Sequence, residues 1–311
     1  MGKDKRKFQN LFKKAVGHDL EQSVPLKLHS NFKIGGKADY FFSASSLNDL
    51  YGAIEWAREQ EVPYHIIGGG YNVLFDDNGF RGLVIKNNAK GIKKLGPTEI
   101  EVLSGTDMED LIEFCVEEGL GGAEFLAGIP GTVGGAVCGN AGAFGQSIGH
   151  RIKQAVVLKQ NGETAELNRN QMSFEYRKSI LKEKSYILFK IVLKLIPKRS
   201  ESIKKEIKAN IKQREEKHPP WGTACAGSYF KNPVSEAGEK IAAGYLLDRV
   251  GARSLKKGDA AVYKGHANFL INTGKASSKD IRELAAELKN RVRKRFGITL
   301  EEEVVFIPAE P

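Results

Sequence analysis

The chain has 311 residues, of which 41% are hydrophobic and 28% charged, with a formal net charge of +10. That balance describes a globular protein and excludes a disordered or collagen-like chain, and the length favours two or three domains over one core. No apolar run reaches the ~18 residues of a membrane span; the nearest candidate, Tyr186 to Pro197, is interrupted by Lys190 and Lys194.

The basic start, MGKDKRKFQNLFKKAVGHDL, lacks the apolar stretch of a secretory signal, and Arg6 stands where a myristoylation motif needs Ser or Thr. Phe8, Leu11, Phe12 and Ala15 share a helical face, which predicts a short docking helix rather than a membrane anchor. Ser46 is placed to cap a helix carrying Leu47, Leu50, Ile54 and Ala57. A strand YHII, the triplet Gly68–Gly70 and a strand GLVI follow.

From Ile100, a strand IEVLSG leads to a helix expected to be capped by Asp107, with Leu111, Phe114 and Cys115 on its apolar stripe. The stretch GIPGTVGGAVCGNAGAFGQSIG, Gly128 to Gly149, comes next and holds eight glycines in 22 residues. Average usage would give about two. Glycine weakens a fold unless the chain needs positive φ or something must approach the backbone closely.

Asn161-Gly162 then predicts a hairpin, and SYILFKIVLKLI a further strand. A helix over 200–217, with Ile203, Ile207 and Ile211 on one face, is stopped by Pro219 and Pro220. The last third reads as helix (EKIAAGYLLDRVG), strand (NFLINTG), a helix from Ser278 bearing Ile281, Leu284, Leu288 and Val292, and a closing strand EEVVFIP. This alternation predicts an α/β or α+β protein with several small sheets.

The three cysteines, Cys115, Cys138 and Cys225, form no CxxC pair, so neither a disulfide framework nor a metal site is expected and a reducing cytoplasm fits. Much of the positive charge lies in helical stretches such as SIKKEIKANIKQREEK, which read as solvated faces. With no stacking-aromatic motif beside them, nucleic acid is not the expected partner, and a polyanionic small molecule suits the charge as well.

Two glycine-rich segments offer backbone N–H groups that no side chain blocks: Gly68, Gly69, Gly70, Tyr71 and Asn72, then Gly128, Ile129, Pro130, Gly131, Thr132, Gly134, Gly135, Asn140 and Gly142. Neither is a Walker loop or a Rossmann fingerprint. Together they suggest a long ligand with a pyrophosphate, such as a dinucleotide.

The ordered motifs NFKIGGKADYFF, IIGGGYNVLFDDNGFRGLVI, GIPGTVGGAVCGNAGAFG, YRKS, GSYFKNP, GHANFLIN and LEEEV span Asn31 to Val304. In this order they resemble the UDP-N-acetylenolpyruvoylglucosamine reductases of peptidoglycan synthesis. The resemblance implies an α+β chain: an FAD-binding fold of the vanillyl-alcohol oxidase type in two subdomains, 1–95 and 96–217, and a substrate-binding domain, 218–311. It implies non-covalent FAD on the two glycine loops, NADPH as co-substrate, a nucleotide-sugar substrate, a cytoplasmic location and no membrane insertion. Tyr71 departs from the family's usual Ser, and Glu302 from its usual Pro. The short stretch between Ser179 and Gly227 is similar to the subclass that lacks an inserted capping loop.

The resemblance also assigns roles. Arg177 matches the arginine that stabilises the enolate-like charge beside the substrate carboxylate, which its planar fork suits. Ser228 matches the proton donor, a weak acid that its surroundings must polarise. Glu303 matches the final glutamate of the family, which pairs with the arginine in stabilising the enol; it is preferred to Glu301 and Glu302 because it directly precedes Val304. Tyr176, Lys231 and Asn232 match substrate contacts, and His266 is either a substrate contact or a structural hydrogen bonder. Cys138 lies within the second loop without implying covalent attachment. A flavin oxidase of alcohols or sugars on the same fold, and a non-catalytic anion binder, remain the alternatives.

Overall fold

Helices and short strands alternate along the chain, the α+β character the sequence predicts. The computed structural model describes residues 2–235 and 238–310. It divides into two units: Met1–Glu21, Phe41–Gly69 and Leu83–Arg214 form the first, and Gln22–Tyr40, Gly70–Gly82 and Glu215–Pro311 the second. The second unit therefore takes in two early segments, the second of which begins inside the first glycine loop.

In the first unit, a five-stranded antiparallel sheet has the order Thr164–Asn168, Ile152–Leu158, Ile187–Lys194, Glu99–Leu103, Ile92–Lys94. Its core joins Ile100, Val102, Ile191 and Leu193 to Leu111, Ile112 and Cys115 of helix Met108–Glu117, and to Val133 and Val137 of helix Val133–Cys138. Burial pushes the Cys115 thiol up to about 12, so it packs as an inert apolar group. Helix Leu47–Glu59 starts at Ser46 with a full capping box to Asp49, as its sequence predicts. It leads into Tyr64–Ile67, which pairs in parallel with 83–86. The N-terminal helix Gly2–Val16 docks as expected: Phe12 is fully buried, its ring edge-on to Phe42 and Trp56 at 4.9 and 5.1 Å. Ala15 is exposed, and Val16 lies against Gly52 instead.

Helix Ser200–Glu215 is anchored by a buried acid. Glu124, 4% exposed, accepts from Gly122 N–H (2.6 Å) and Lys198 Nζ (2.8 Å), and Lys198 also pairs with Glu206 of that helix. Burial alone would raise the Glu124 carboxyl; Lys198 and the backbone donors override it and hold the group below its usual range. Its contribution is thus complete above the ordinary glutamate value and is lost as pH falls through the depressed folded value. Glu124→Ala is expected to cost about 2 kcal/mol at pH 7, from the loss of a charged hydrogen-bond network. Denaturant unfolding should find the difference from wild type shrinking below pH ~4.

The second unit holds a four-stranded antiparallel sheet ordered Cys225–Ser228, Phe269–Asn272, Ala260–Val262, Lys256–Lys257. Helix Ser278–Phe296 covers it with Ile281, Leu284, Leu288 and Val292, all fully buried or nearly so, the spacing the sequence predicts. Its first turn is capped by Ser277 and again by the carboxylate of Asp77, which accepts from the Ser278 N–H and hydroxyl at 2.9 and 2.8 Å. Beside it, Val73–Phe75 and Val305–Ile307 run parallel.

Three expectations need correction. Asp107 makes no cap hydrogen bond; its carboxylate pairs with Lys90. The helix expected from Glu239 begins only at Ala243, because Lys240 bridges to Val234. The glycine-rich stretch, read as loop, contains the one-and-a-half-turn helix Val133–Cys138, capped by Thr132.

Candidate active site

The two glycine segments meet in the first unit. A Cβ on Gly68 would lie 2.2 Å from Thr132 Oγ1, so the first loop rests on the N-cap of the glycine helix. The second loop is fastened from behind, with Val133 N–H donating to Thr106 O (2.8 Å) and Gly134 N–H to Ser104 O (2.7 Å). Several of its glycines are explained by protein neighbours: a Cβ would meet Ser104 O at 2.8 Å from Gly134 and Gln146 O at 2.4 Å from Gly142. Gly135 differs. Its nearest protein neighbour would be 3.7 Å away, ordinary contact, yet it sits in a helix where Ala is the better residue. The two glycine loops touching at this capped turn, with one exposed glycine that the protein itself does not demand, fit the close approach of a dinucleotide to the backbone.

Arg214, which sequence reasoning read as one more helix-face charge, is a missed part of this floor. Its guanidinium donates to the carbonyls of Ala127 (3.0 Å) and Phe125 (3.1 Å), just before Gly128, and lies over the Phe144 ring. Burial, then the charge of Arg177, depresses its basicity, so the two guanidinium groups share one region of positive potential.

Arg177 sits at the tip of a two-residue turn closed by the Glu175–Lys178 bridge, with φ at +58°. A non-glycine residue there is uncommon, and a strained position at a cationic tip points to function. The turn is pinned twice. Asn140 Nδ2 donates to Glu175 O at 2.7 Å while its Oδ1 accepts from Gly149 N–H, and the Ser179 hydroxyl donates to Cys138 O at 2.7 Å. Asn140, expected as a cofactor ligand, thus has a structural task of its own. Tyr176 is exposed, with the Arg177 guanidinium 5.4 Å from its ring centre.

In the second unit, Ser228 ends its strand directly after a bulge: Cys225 pairs with Ile271 and Ser228 with Phe269, which leaves one extra residue, and Gly227 takes φ +74°. A bulge of this kind re-aims the side chain that follows it. The closing glutamates run alongside: Phe230 bridges to Glu302, Lys231 N–H donates to Glu301 O, and Glu303 N–H donates to Tyr229 O at 2.8 Å. The three carboxylates therefore differ. Glu301 pairs with Lys231 (3.0 Å); Glu302 accepts from the buried Tyr229 hydroxyl and pairs with Lys289. Glu303 is the one whose backbone lies beside the residue following Ser228. Asn72 fixes it further, donating from Nδ2 to Glu303 O (3.2 Å) and accepting from Val305 N–H (3.1 Å).

Residues 38–168 match the family described as FAD binding domain, and 219–307 the C-terminal domain of UDP-N-acetylenolpyruvoylglucosamine reductase. A protein of that name from Desulforamulus reducens is 37% identical over 93% of this chain and 94% of its own; one from Chlamydia trachomatis serovar L2 is 38% identical over 93% and 96%. The chain belongs to the UDP-N-acetylenolpyruvoylglucosamine reductase family. The crystal structure of the reductase (MurB) from Thermus caldophilus superposes with a TM-score of 0.77 at 30% identity, over 93% of this chain and 99% of the other.

The Lys231 ammonium is held by Glu301, and Asn232 Oδ1 accepts from Ala243 N–H at the start of helix Ala243–Arg249. His266 Nδ1 accepts from Asn268 N–H (3.2 Å), and its ring packs on Phe269 and His218 at 5.0 and 6.3 Å. Burial lowers its affinity for a proton, so it stands neutral with the hydrogen on Nε2. Those contacts support its structural reading. Tyr71 is partly exposed behind Gly70, whose φ is +74°. No helix among the described residues is long and apolar enough to cross a membrane.

Proposed function

We propose that the chain catalyses the NADPH-dependent reduction of UDP-N-acetylglucosamine enolpyruvate to UDP-N-acetylmuramate in peptidoglycan precursor synthesis. Family membership over 93% of the chain carries this reading, and the convergence of two glycine loops on one capped helix start is its structural support. Bound FAD supplies the hydride relay from NADPH to the enolpyruvyl carbon. The backbone of Gly68, Gly69, Gly70 and Tyr71, and of Gly128, Ile129, Pro130, Gly131, Thr132 and Gly135, holds it. Gly134, Asn140 and Gly142 shape that cradle, and Asn72 ends the first of its loops.

Arg177 takes up the negative charge that builds beside the substrate carboxylate; the strained, doubly pinned turn presents its guanidinium already oriented, which lowers the reorganisation needed in the transition state. Ser228 delivers the proton to the neighbouring carbon, and Glu303 completes stabilisation of the enol. Tyr176, Lys231, Asn232 and His266 bind the nucleotide-sugar, and Lys231 is neutralised by Glu301 until a diphosphate competes for it. Residues 1–95 and 96–217 serve as the two cofactor subdomains and 218–311 as the substrate domain, in a protein working in the cytoplasm where its nucleotide substrates are made.

The purified protein should carry one FAD, bound without a covalent bond, because the first loop offers no His or Cys to link it. Acid precipitation should leave all yellow colour in the supernatant, and NADPH should bleach the native protein. Colour that stays with the pellet, or a flavin that NADPH fails to reduce, would count against the reading.

A further inference from the structure

Asn31 opens the NFKIGG motif. Its backbone N–H donates to Gly70 O at 2.9 Å, at the exit of the first glycine loop. Its side-chain amide donates to Cys225 O at 2.6 Å and Thr223 O at 3.3 Å, where the strand of Ser228 begins. The flanking residues repeat the pattern. The Ser30 hydroxyl donates to Val73 O (3.2 Å), and buried Asn272 joins Phe32 to the Ser228 strand, its Nδ2 donating to Phe32 O (3.0 Å) and its N–H to Ala224 O (2.8 Å). One short segment is thus bonded to the end of the glycine loop on one side and to the Ser228 strand on the other.

We infer that Asn31 is a positioning residue for the proton donor, tying the strand of Ser228 to the loop that cradles the cofactor so that the two are placed as one body. The inference rests on the roles proposed above for Gly68–Asn72 and Ser228. The need for such a tie is local. The bulge at Gly227 leaves one residue of the strand out of register just before Ser228, and the two carbonyls held by Asn31 precede that bulge. An isosteric Asp cannot replace the amide: it loses both donors and turns a negative charge toward two carbonyl oxygens.

The test compares wild type with Asn31→Asp as holoenzymes. Flavin reduction by NADPH should stay within about twofold, while the limiting rate of flavin reoxidation by the enolpyruvyl substrate falls roughly 10- to 100-fold, the scale of an ångström-level misplacement. The substrate concentration at half-saturation should change little. Amide hydrogen exchange over 223–229 should quicken in the variant, since two of its carbonyl anchors are lost. A wild-type limiting rate, equal slowing of both half-reactions, or unchanged exchange over 223–229 would overturn the inference. Should Asn31→Asp fail to fold, Asn31→Ser is judged by the same criteria. If wild type itself does not reduce the enolpyruvyl substrate, the proposed function fails, and the exchange measurement still decides the role of Asn31.

Discussion

Ser228→Ala should bleach its flavin with NADPH at close to the wild-type rate, yet reoxidise with the enolpyruvyl substrate at least ~10²-fold more slowly, within the 10²–10⁴-fold span of a lost general acid. The expectation follows from where Ser228 stands. It directly follows the Gly227 bulge, and the next residue accepts a backbone bond from Glu303, so the hydroxyl is carried on the sheet. Ser228→Cys should recover part of the rate, because a thiol also gives up a proton. Stopped-flow mixing with each substrate alone reads the two steps separately. Equal slowing of both would mean that Ser228 orients the flavin instead of protonating the product.

The second large effect separates two glycines one residue apart. Gly134→Val forces a branched side chain against Ser104 O, which already accepts from the Gly134 N–H; overpacking of this kind typically costs about 1–3 kcal/mol and should shift the whole cradle. Both stability and flavin occupancy should drop. Gly135→Ala should behave otherwise. The protein has room for the methyl, and Ala in a helix gains up to ~1 kcal/mol over Gly, so the apoprotein should melt no lower than wild type. If the pyrophosphate lies against this helix start, FAD affinity should nonetheless fall at least about tenfold, equivalent to ~1.4 kcal/mol. Titration of apoprotein with FAD, beside a melting curve, decides it: undiminished affinity in Gly135→Ala would place the cofactor elsewhere.

Periodicity made much of the fold legible. The helices over 47–59, 200–215 and 278–296 carry their apolar residues at helical spacing and their caps or stops where the sequence puts them, and Asn161-Gly162 turns the expected hairpin. The glycine helix Val133–Cys138 was not legible, since three tertiary bonds and a Thr cap hold a segment whose propensity opposes it. Asp107 misled for the opposite reason: a local cap signal lost to an ion pair with Lys90, a residue far from it in sequence. In the site, the roles of Arg177, Ser228 and Glu303 come from the family resemblance, and motif matching says nothing of a residue that acts through backbone carbonyls. Arg214 and Asn31 both work that way. An arginine three residues beyond Ile211, in line with the apolar row of its helix, and an Asn heading a glycine-containing motif were the available signals.

The identity of the flavin's oxidant separates a reductase from an oxidase most directly. With oxygen removed, the holoenzyme should be bleached by one equivalent of NADPH and then mixed with UDP-N-acetylglucosamine enolpyruvate. The account predicts that the yellow colour returns without oxygen and that one UDP-N-acetylmuramate forms per flavin. Colour that returns only when air is admitted, with no product formed, would contradict it and identify an oxidase.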